Sequence, residues 1–245
     1  MKPGWWRKLL TVPGAIVTAV LTALVGAGVT WSVLYLRHVE IQPDDAVKLS
    51  VETDPADTAG GNYSQGSAII PSDIRTHGTP GAGCRGFHSW VADNHGADRE
   101  RTVVQIVAQN RTDKPVLVQR MRVTIVDGSP PLTGIAVSCT DRRPAAAEPR
   151  QLAVNLDAAP PGVEYISGPS KAPFGFTLAN GQTESFVVSA FGTRATYRWK
   201  IDFEIVVDGV ATTVPVGDKE GFTTAAGLPS CGVAPAGKPC WSYTD

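Results

Sequence analysis

Two hydrophobic patterns divide the chain. Leu9–Leu36 is a run of 28 residues without a charged side chain. The remainder contains short segments in which apolar and polar residues alternate with a period of two, which is the pattern of strands with one buried face. The pattern therefore predicts one N-terminal apolar helix followed by a β-rich domain.

The apolar run is long enough to cross a bilayer as a helix. A hydrocarbon core of roughly 30 Å needs about 20 helical residues, and Gly14–Leu36 supplies 23. A cleaved signal peptide and a buried soluble helix are the alternatives. A signal peptide normally has an apolar region of only about 7–15 residues, which favours an uncleaved span. Aromatic residues stand where interfacial anchors are expected, at Trp5, Trp6, Trp31 and Tyr35.

The charges around the run predict its orientation. Lys2, Arg7 and Lys8 precede it, whereas Arg37 and Lys48 follow it among several acidic residues. Because positively charged flanks remain on the cytoplasmic side, we expect a cytoplasmic N-terminus and an extracytoplasmic C-terminal domain. The protein is thus predicted to be a single-pass protein of the cell membrane.

The cysteines are consistent with this orientation. All four lie after the apolar run, and an even number in a translocated domain is typical of disulfides. Four cysteines allow three connectivities. We favour one bond between Cys84 and Cys139 and another between Cys231 and Cys240, which would close a short loop rich in Gly and Pro.

The strand pattern is clearest in Tyr197–Asp208, where every second residue is apolar (Tyr197, Trp199, Ile201, Phe203, Ile205 and Val207). Asp208-Gly209 is a two-residue turn signal, and Val210–Val216 is expected to return as the partner strand. The segments on either side of the Arg111–Pro115 loop are expected to pair as a hairpin. No sustained helical stripe follows residue 46. The alternation recurs at Met121, Val123, Ile125, Phe186, Val188 and Ala190.

These patterns predict an all-β fold of about seven to nine strands, a β-sandwich of the immunoglobulin-like or fibronectin-like kind. The predicted organisation is a cytoplasmic tail over 1–13, a transmembrane helix over 14–36, a juxtamembrane linker over 37–46, the sandwich over 47–224 and a C-terminal tail with a disulfide loop over 225–245.

Composition narrows the class of partner. After the apolar run the chain carries 19 basic and 23 acidic residues, a formal charge of −4, so no basic surface for nucleic acid is expected. The 14 arginines against 8 lysines suit a GC-rich bacterial genome. The expected partners are the lipid bilayer and a protein of the membrane or envelope.

One segment gathers groups that could do chemistry: Cys84, His88, Asp93, His95, Asp98 and Glu100. A cysteine near a histidine can form a nucleophile with its base, and two histidines with a carboxylate can hold a metal. The spacing matches no established motif, so we predict no catalytic residue, no metal site and no cofactor. Asp54 and Asp57 form a weaker candidate for calcium in a polar turn.

Small residues form two rows in the apolar run. Four-residue spacing places each row along one ridge of a helix, and small side chains let two helices approach closely in lipid. We therefore predict a helix that can pair with a second copy, giving a homodimer. The association face comprises Gly14, Thr18, Thr22, Gly26 and Thr30 in one row and Ala15, Ala19, Ala23 and Ala27 in the other.

The leading functional prediction is a membrane-anchored, extracytoplasmic β-sandwich that acts as a binding or assembly module and is not an enzyme. One alternative is an envelope enzyme with a thiol or metal site around Cys84, His88 and His95. The other is a structural envelope protein without a discrete ligand.

Overall fold

The computed structural model describes residues 45–55, 57–58, 65–71, 78–79, 84–140, 149–168, 174–226 and 240–244. The chain divides into two compact units, Met1–Gln42 and Pro43–Asp245, and the described residues all belong to the second. The predicted span, its association face, its aromatic anchors and Cys231 lie outside them. No helix among the described residues combines the length and apolar character that a membrane crossing requires.

Within those ranges the chain forms mostly β-strands, with one short helix. In chain order the elements are β1 Val47–Glu52, β2 Gln65–Pro71, α1 Phe87–Asp93, β3 Ala97–Arg99, β4 Arg101–Asn110, β5 Val116–Ser129, β6 Gly134–Thr140, β7 Arg150–Asn155, β8 Val163–Ser167, β9 Phe176–Leu178, β10 Thr183–Phe191, β11 Thr196–Val207, β12 Val210–Val216, β13 Phe222–Ala225 and β14 Cys240–Thr244.

The strands form two sheets. Sheet A has the order β1-β4-β10-β7-β8, and sheet B has the order β14-β6-β2-β3-β13-β11-β5-β9, with β12 also paired to β11. Most neighbours are antiparallel, but β7 with β10, β3 with β13 and β6 with β14 are parallel pairs. The predicted all-β sandwich is confirmed, and β14 adds a strand from the segment predicted as a tail.

The inner face of β11 forms the centre of the core. The side chains of Trp199, Ile201, Phe203 and Ile205 are at most 1% exposed, as the alternation predicts. Opposite them on sheet A, Phe186 and Val188 are completely buried, and the rings of Phe186 and Phe203 lie 5.2 Å apart. The predicted β11–β12 hairpin is also present, and both turn residues, Asp208 and Gly209, have positive φ.

The expected hairpin around Arg111–Pro115 is wrong. β4 belongs to sheet A and β5 to sheet B, so this loop crosses from one sheet to the other. Asn110 explains the crossing: its buried side-chain amide donates to the carbonyls of Lys114 and Leu178, and its side-chain oxygen accepts from the backbone N–H of Thr112. These bonds fix a corner that the alternation pattern cannot distinguish from a hairpin turn.

Sheet B extends beyond sheet A, and α1 covers the extension. Residues paired across neighbouring strands share a face, and so do alternate residues of one strand. Phe222 and Thr224 of β13 therefore share the inner face, Thr224 pairs with Asp98, and Asp98 pairs with Ala68. Ala68 therefore lies on the inner face of sheet B. There it packs with Phe87 and Trp90 of α1 in a second cluster that also contains the Cys84–Cys139 disulfide.

The sequence pattern missed α1 because the helix has only seven residues. Its buried residues are Phe87, Trp90 and Val91, an i, i+3, i+4 set that is too short to stand out as a stripe. Gly66 on β2 permits its close approach, because a Cβ there would lie 2.7 Å from the Phe87 ring.

Replacing Phe203 with Ala should lower the free energy of unfolding by about 3–5 kcal/mol, because a buried aromatic side chain is removed from the core. Lys200→Ala, on the opposite face of the same strand, should cost less than about 0.5 kcal/mol. Denaturant titration followed by tryptophan fluorescence measures both. Equal costs for the two variants would contradict the assignment of the two faces of β11.

Candidate functional site

A polar recess lies where α1 meets the edge of sheet A. It is lined from the β1–β2 connection by Thr53, from α1 by His88, from β3 by Asp98 and from β4 by Arg101. Its interior admits about one water molecule, whose share of the liquid volume is roughly 30 Å³. The recess is therefore a small polar notch rather than a pocket for an organic ligand.

Asp54 joins the β1–β2 connection to the start of α1. Its carboxylate oxygens accept hydrogen bonds from the backbone N–H of Gly86 at 2.7 Å and of His88 at 3.4 Å. Gly86, the N-cap residue, supplies no capping side chain, and its φ of 72° lies in the left-handed region. Asp54 thus caps the helix from 32 residues away, and its negative charge lies beside the positive end of the helix dipole.

The disulfide secures the segment that precedes α1. Cys84 and Cys139, the pair that the sequence analysis favoured, are bonded with their Cα atoms 5.6 Å apart, and both residues are buried. The bond closes a loop of 55 residues, which is worth about 4 kcal/mol in the chain-entropy account. As a disulfide, Cys84 offers no thiolate, so the thiol nucleophile that we considered is not available.

His88 is one of the ionisable residues that line the recess. Its Nδ1 lies 3.5 Å from the carboxylate of Asp98, and the two side chains are 33% and 12% exposed. Burial lowers the pKa of His88, but the hydrogen bond and charge of Asp98, with the charges of Asp54 and Glu52, outweigh it. The pKa of His88 therefore lies above its usual value of 6.5.

The other members of the predicted cluster are not assembled around His88. Asp93 and His95 are exposed at the end of α1 and in the following turn, and Glu100 is exposed after β3. Asp98 is the one cluster member that contacts the imidazole within the described part of the chain. Sequence spacing could not select this pair, because His88 and Asp98 are brought together by the packing of α1 on sheet B.

Three carboxylates at the end of β1 and in the β1–β2 connection approach one another. Oxygen atoms of Glu52, Asp54 and Asp57 lie within 4.8 Å of each other. Calcium requires about six to eight oxygen ligands, whereas Glu52 and Asp54 already accept backbone N–H groups from Thr53, Asp54, Gly86 and His88. These donors account for the positions of the Glu52 and Asp54 carboxylates, and the three residues together supply fewer oxygen ligands than calcium normally takes.

A further carboxylate has a structural role. Asp157, before the cis Ala159-Pro160 bond, accepts hydrogen bonds from the hydroxyl of Tyr197 and from the backbone and hydroxyl of Thr193. Partial burial raises the pKa of Asp157, but these bonds, together with one from the backbone N–H of Arg194, lower it more and hold it below its usual value. This network holds the turn between β10 and β11 against the segment that follows β7.

Comparisons with known proteins provide no functional assignment. No family model matches the chain, and no curated protein matches it. Among solved structures, the X-ray structure of Northeast Structural Genomics Consortium target SoR45 matches over 77% of this chain and 91% of its own. The identity is 6% and the TM-score is 0.28, a likeness too low to support an argument about fold or function.

Because the pKa of His88 is raised by folding, its protonation contributes stability below the unfolded-state pKa of about 6.5, and this contribution is lost as the pH rises through the folded-state pKa. Asp98→Asn should remove the main negative charge beside His88 and so lower the pKa of His88. The free energy of unfolding should then depend less on pH in this range. NMR titration of the imidazole and unfolding midpoints between about pH 5 and 9 measure the two effects.

The matched control is His95→Gln, which changes an exposed histidine on the turn after α1. This variant should keep the pH profile of the wild-type protein. If His95→Gln alters the profile as strongly as Asp98→Asn does, the dependence does not arise at the recess.

Proposed function

We propose that the chain is a single-pass membrane protein whose β-sandwich is displayed outside the cytoplasm as a non-enzymatic binding or assembly module. The observation that carries the proposal is the buried Cys84–Cys139 disulfide. Stable structural disulfides form in oxidising compartments and are rare in the cytosol. The bond therefore supports an extracytoplasmic location for this domain.

The membrane anchor in this proposal is the uncharged run Leu9–Leu36. A segment of this length is more than a signal peptide needs and is sufficient for one helical span. The basic residues before it support a cytoplasmic N-terminus. The disulfide and the charge pattern are independent features of the chain, and both favour the same orientation.

The proposal assigns the central sandwich to the immunoglobulin-like or fibronectin-like kind. The antiparallel strands β4, β5, β10 and β11 around a buried tryptophan, Trp199, support that assignment. The parallel pairs and α1 are additions to the usual arrangement, and they occur mainly on the side of sheet B that extends beyond sheet A.

A binding role is favoured over catalysis by the dimensions and chemistry of the recess. An enzyme pocket for a small molecule typically encloses about 300–1,000 Å³, whereas the recess beside His88 holds about one water molecule. The thiol version of the enzyme hypothesis requires a free Cys84, which is bonded. A structural envelope protein without a discrete ligand remains the competing proposal, and it differs in predicting no specific partner.

Protease added to intact cells that express the full chain should remove an epitope placed in the exposed β11–β12 turn and leave the first dozen residues protected. Carbonate washing should leave the chain in the membrane fraction, because an uncleaved span resists extraction. A protected β11–β12 epitope would contradict the orientation, and a fully extracted chain would contradict the anchor.

If the small-residue rows pair two helices, Gly26→Leu should reduce a membrane-reporter dimerisation signal sharply, because a large side chain is inserted where the backbones approach. Val25→Leu changes the neighbouring position on another ridge and should retain the signal. Similar signals from the two variants would show that the small residues reflect composition and that the segment serves only as an anchor.

A further inference from the structure

The backbone on both sides of α1 is held in uncommon conformations. Among the described residues, four positions other than glycine have a positive φ, and three of them flank α1. Cys84 precedes the helix with a φ of 58°, and His95 and Glu100 follow it with φ values of 54° and 65°. Residues with a Cβ rarely occupy this left-handed region, and they remain there only where surrounding contacts impose it. The conformation of the segment 84–100 therefore depends on the contacts that hold it.

The apolar contacts of α1 are separate from the main core. Phe87, Trp90 and Val91 pack in the second cluster with the disulfide and with residues of β2 and β6, whereas the main core lies between the two sheets. The helix has only seven residues, so it is not stable without this packing. A short segment with a small cluster of its own can open locally while the main core stays folded.

Polar contacts hold α1 at its first turn. Asp54 accepts hydrogen bonds from the backbone N–H groups of Gly86 and His88, and Nδ1 of His88 lies 3.5 Å from the Asp98 carboxylate on β3. The contact between His88 and Asp98 is stronger when the imidazole is protonated, because both partners then carry a charge. The charge of one side chain thus affects how firmly α1 is held.

The groups that face His88 come from three other elements. Asp98 lies on β3, Glu52 and Asp54 lie at the end of β1 and just after it, and Arg101 of β4 also lines the recess. Burial lowers the pKa of His88, but the three carboxylates raise it above its usual value. Opening of α1 separates the imidazole from these carboxylates, so the closed form binds the proton more tightly than the open form. Protonation therefore favours the closed form.

We propose that α1 is a pH-sensitive latch over the Cys84–Cys139 disulfide, which stays closed while His88 is protonated and opens more readily when His88 is neutral. The two cysteines are 2% and 3% exposed, and they share their cluster with Phe87 and Trp90. Displacement of α1 from sheet B therefore uncovers the disulfide. This regulation goes beyond the proposed function and does not depend on the membrane anchor.

The latch makes access to the disulfide depend on the surrounding pH. In a mildly acidic medium α1 covers the bond. As the pH rises through the pKa of His88, the contribution of the imidazolium to the closed form is lost and the open form becomes more populated. The rate at which a reductant reaches the bond therefore reports the position of α1.

The test measures how fast a water-soluble phosphine reduces the disulfide in the full-length chain in detergent. The phosphine takes an oxygen atom from water and becomes a phosphine oxide, while the disulfide gains two electrons and two protons and becomes two thiols. Samples are quenched with acid and alkylated, and the peptides that contain Cys84 and Cys139 are quantified by mass spectrometry. Each rate is divided by the rate for the unfolded chain at the same pH, which removes the pH dependence of the reagent.

The normalised rate for the wild-type chain should rise at least about threefold between about pH 5.5 and 8, the range in which histidine changes its charge. His88→Gln should abolish the rise. Asp98→Asn should reduce it and should make reduction at the acidic end faster than in the wild-type chain. His95→Gln is the matched control, because it changes an exposed histidine after α1, and it should keep the wild-type profile. Circular dichroism shows whether each variant is folded.

Ile205→Val distinguishes opening of α1 from unfolding of the whole domain. Ile205 is buried in the main core and does not belong to the cluster under α1. Loss of its methyl group should leave the rate unchanged if α1 opens locally, whereas reduction through global unfolding would accelerate about two- to twelvefold. Such an acceleration, a flat profile for the wild-type chain, or loss of the rise in His95→Gln overturns the inference.

Discussion

The inner face of sheet B must be buried along its whole width, although sheet A covers only part of it. Beyond β13 the sheet continues through β3, β2 and β6, and these strands carry apolar residues such as Ala68, Ile70 and Val137 on the same face as the main core. Exposing that face to water would destabilise the fold by roughly 25 cal/mol for each Å² of apolar surface. Helix α1 and the disulfide supply the missing cover, and the remaining features of this region follow from how α1 is held.

Holding α1 produces the polar recess. A helix of two turns contributes little stability of its own, so it depends on its contacts. Asp54 caps the first turn of α1, the disulfide at Cys84 anchors the segment before that turn, and His88 joins the helix to Asp98 on β3. At the sheet junction, the hydroxyl of Thr224 accepts a hydrogen bond from the indole N–H of Trp199 and contacts the hydroxyl of Thr102 on β4. The polar groups of the recess therefore also have a structural role, because they attach α1 to the neighbouring strands.

Much of the fold could be predicted from the sequence where the pattern was local. The period of two identified the buried face of β11, and Asp208-Gly209 identified its hairpin. The pattern could not determine which sheet a strand joins. β4 and β5 alternate as a hairpin pair would, but they belong to different sheets, and the hydrogen bonds of Asn110 hold the corner between them. The Pro-rich segment after Asp157 likewise contains β8, whose pairing with β7 no local pattern reveals.

The candidate site was less predictable because its members are distant in sequence. Cys84, His88 and Asp98 were selected as one cluster, but Asp54 and Arg101 enter the recess from other elements. No spacing along the chain joins Asp54 to Gly86 or His88 to Asp98, and both contacts arise because α1 packs on sheet B.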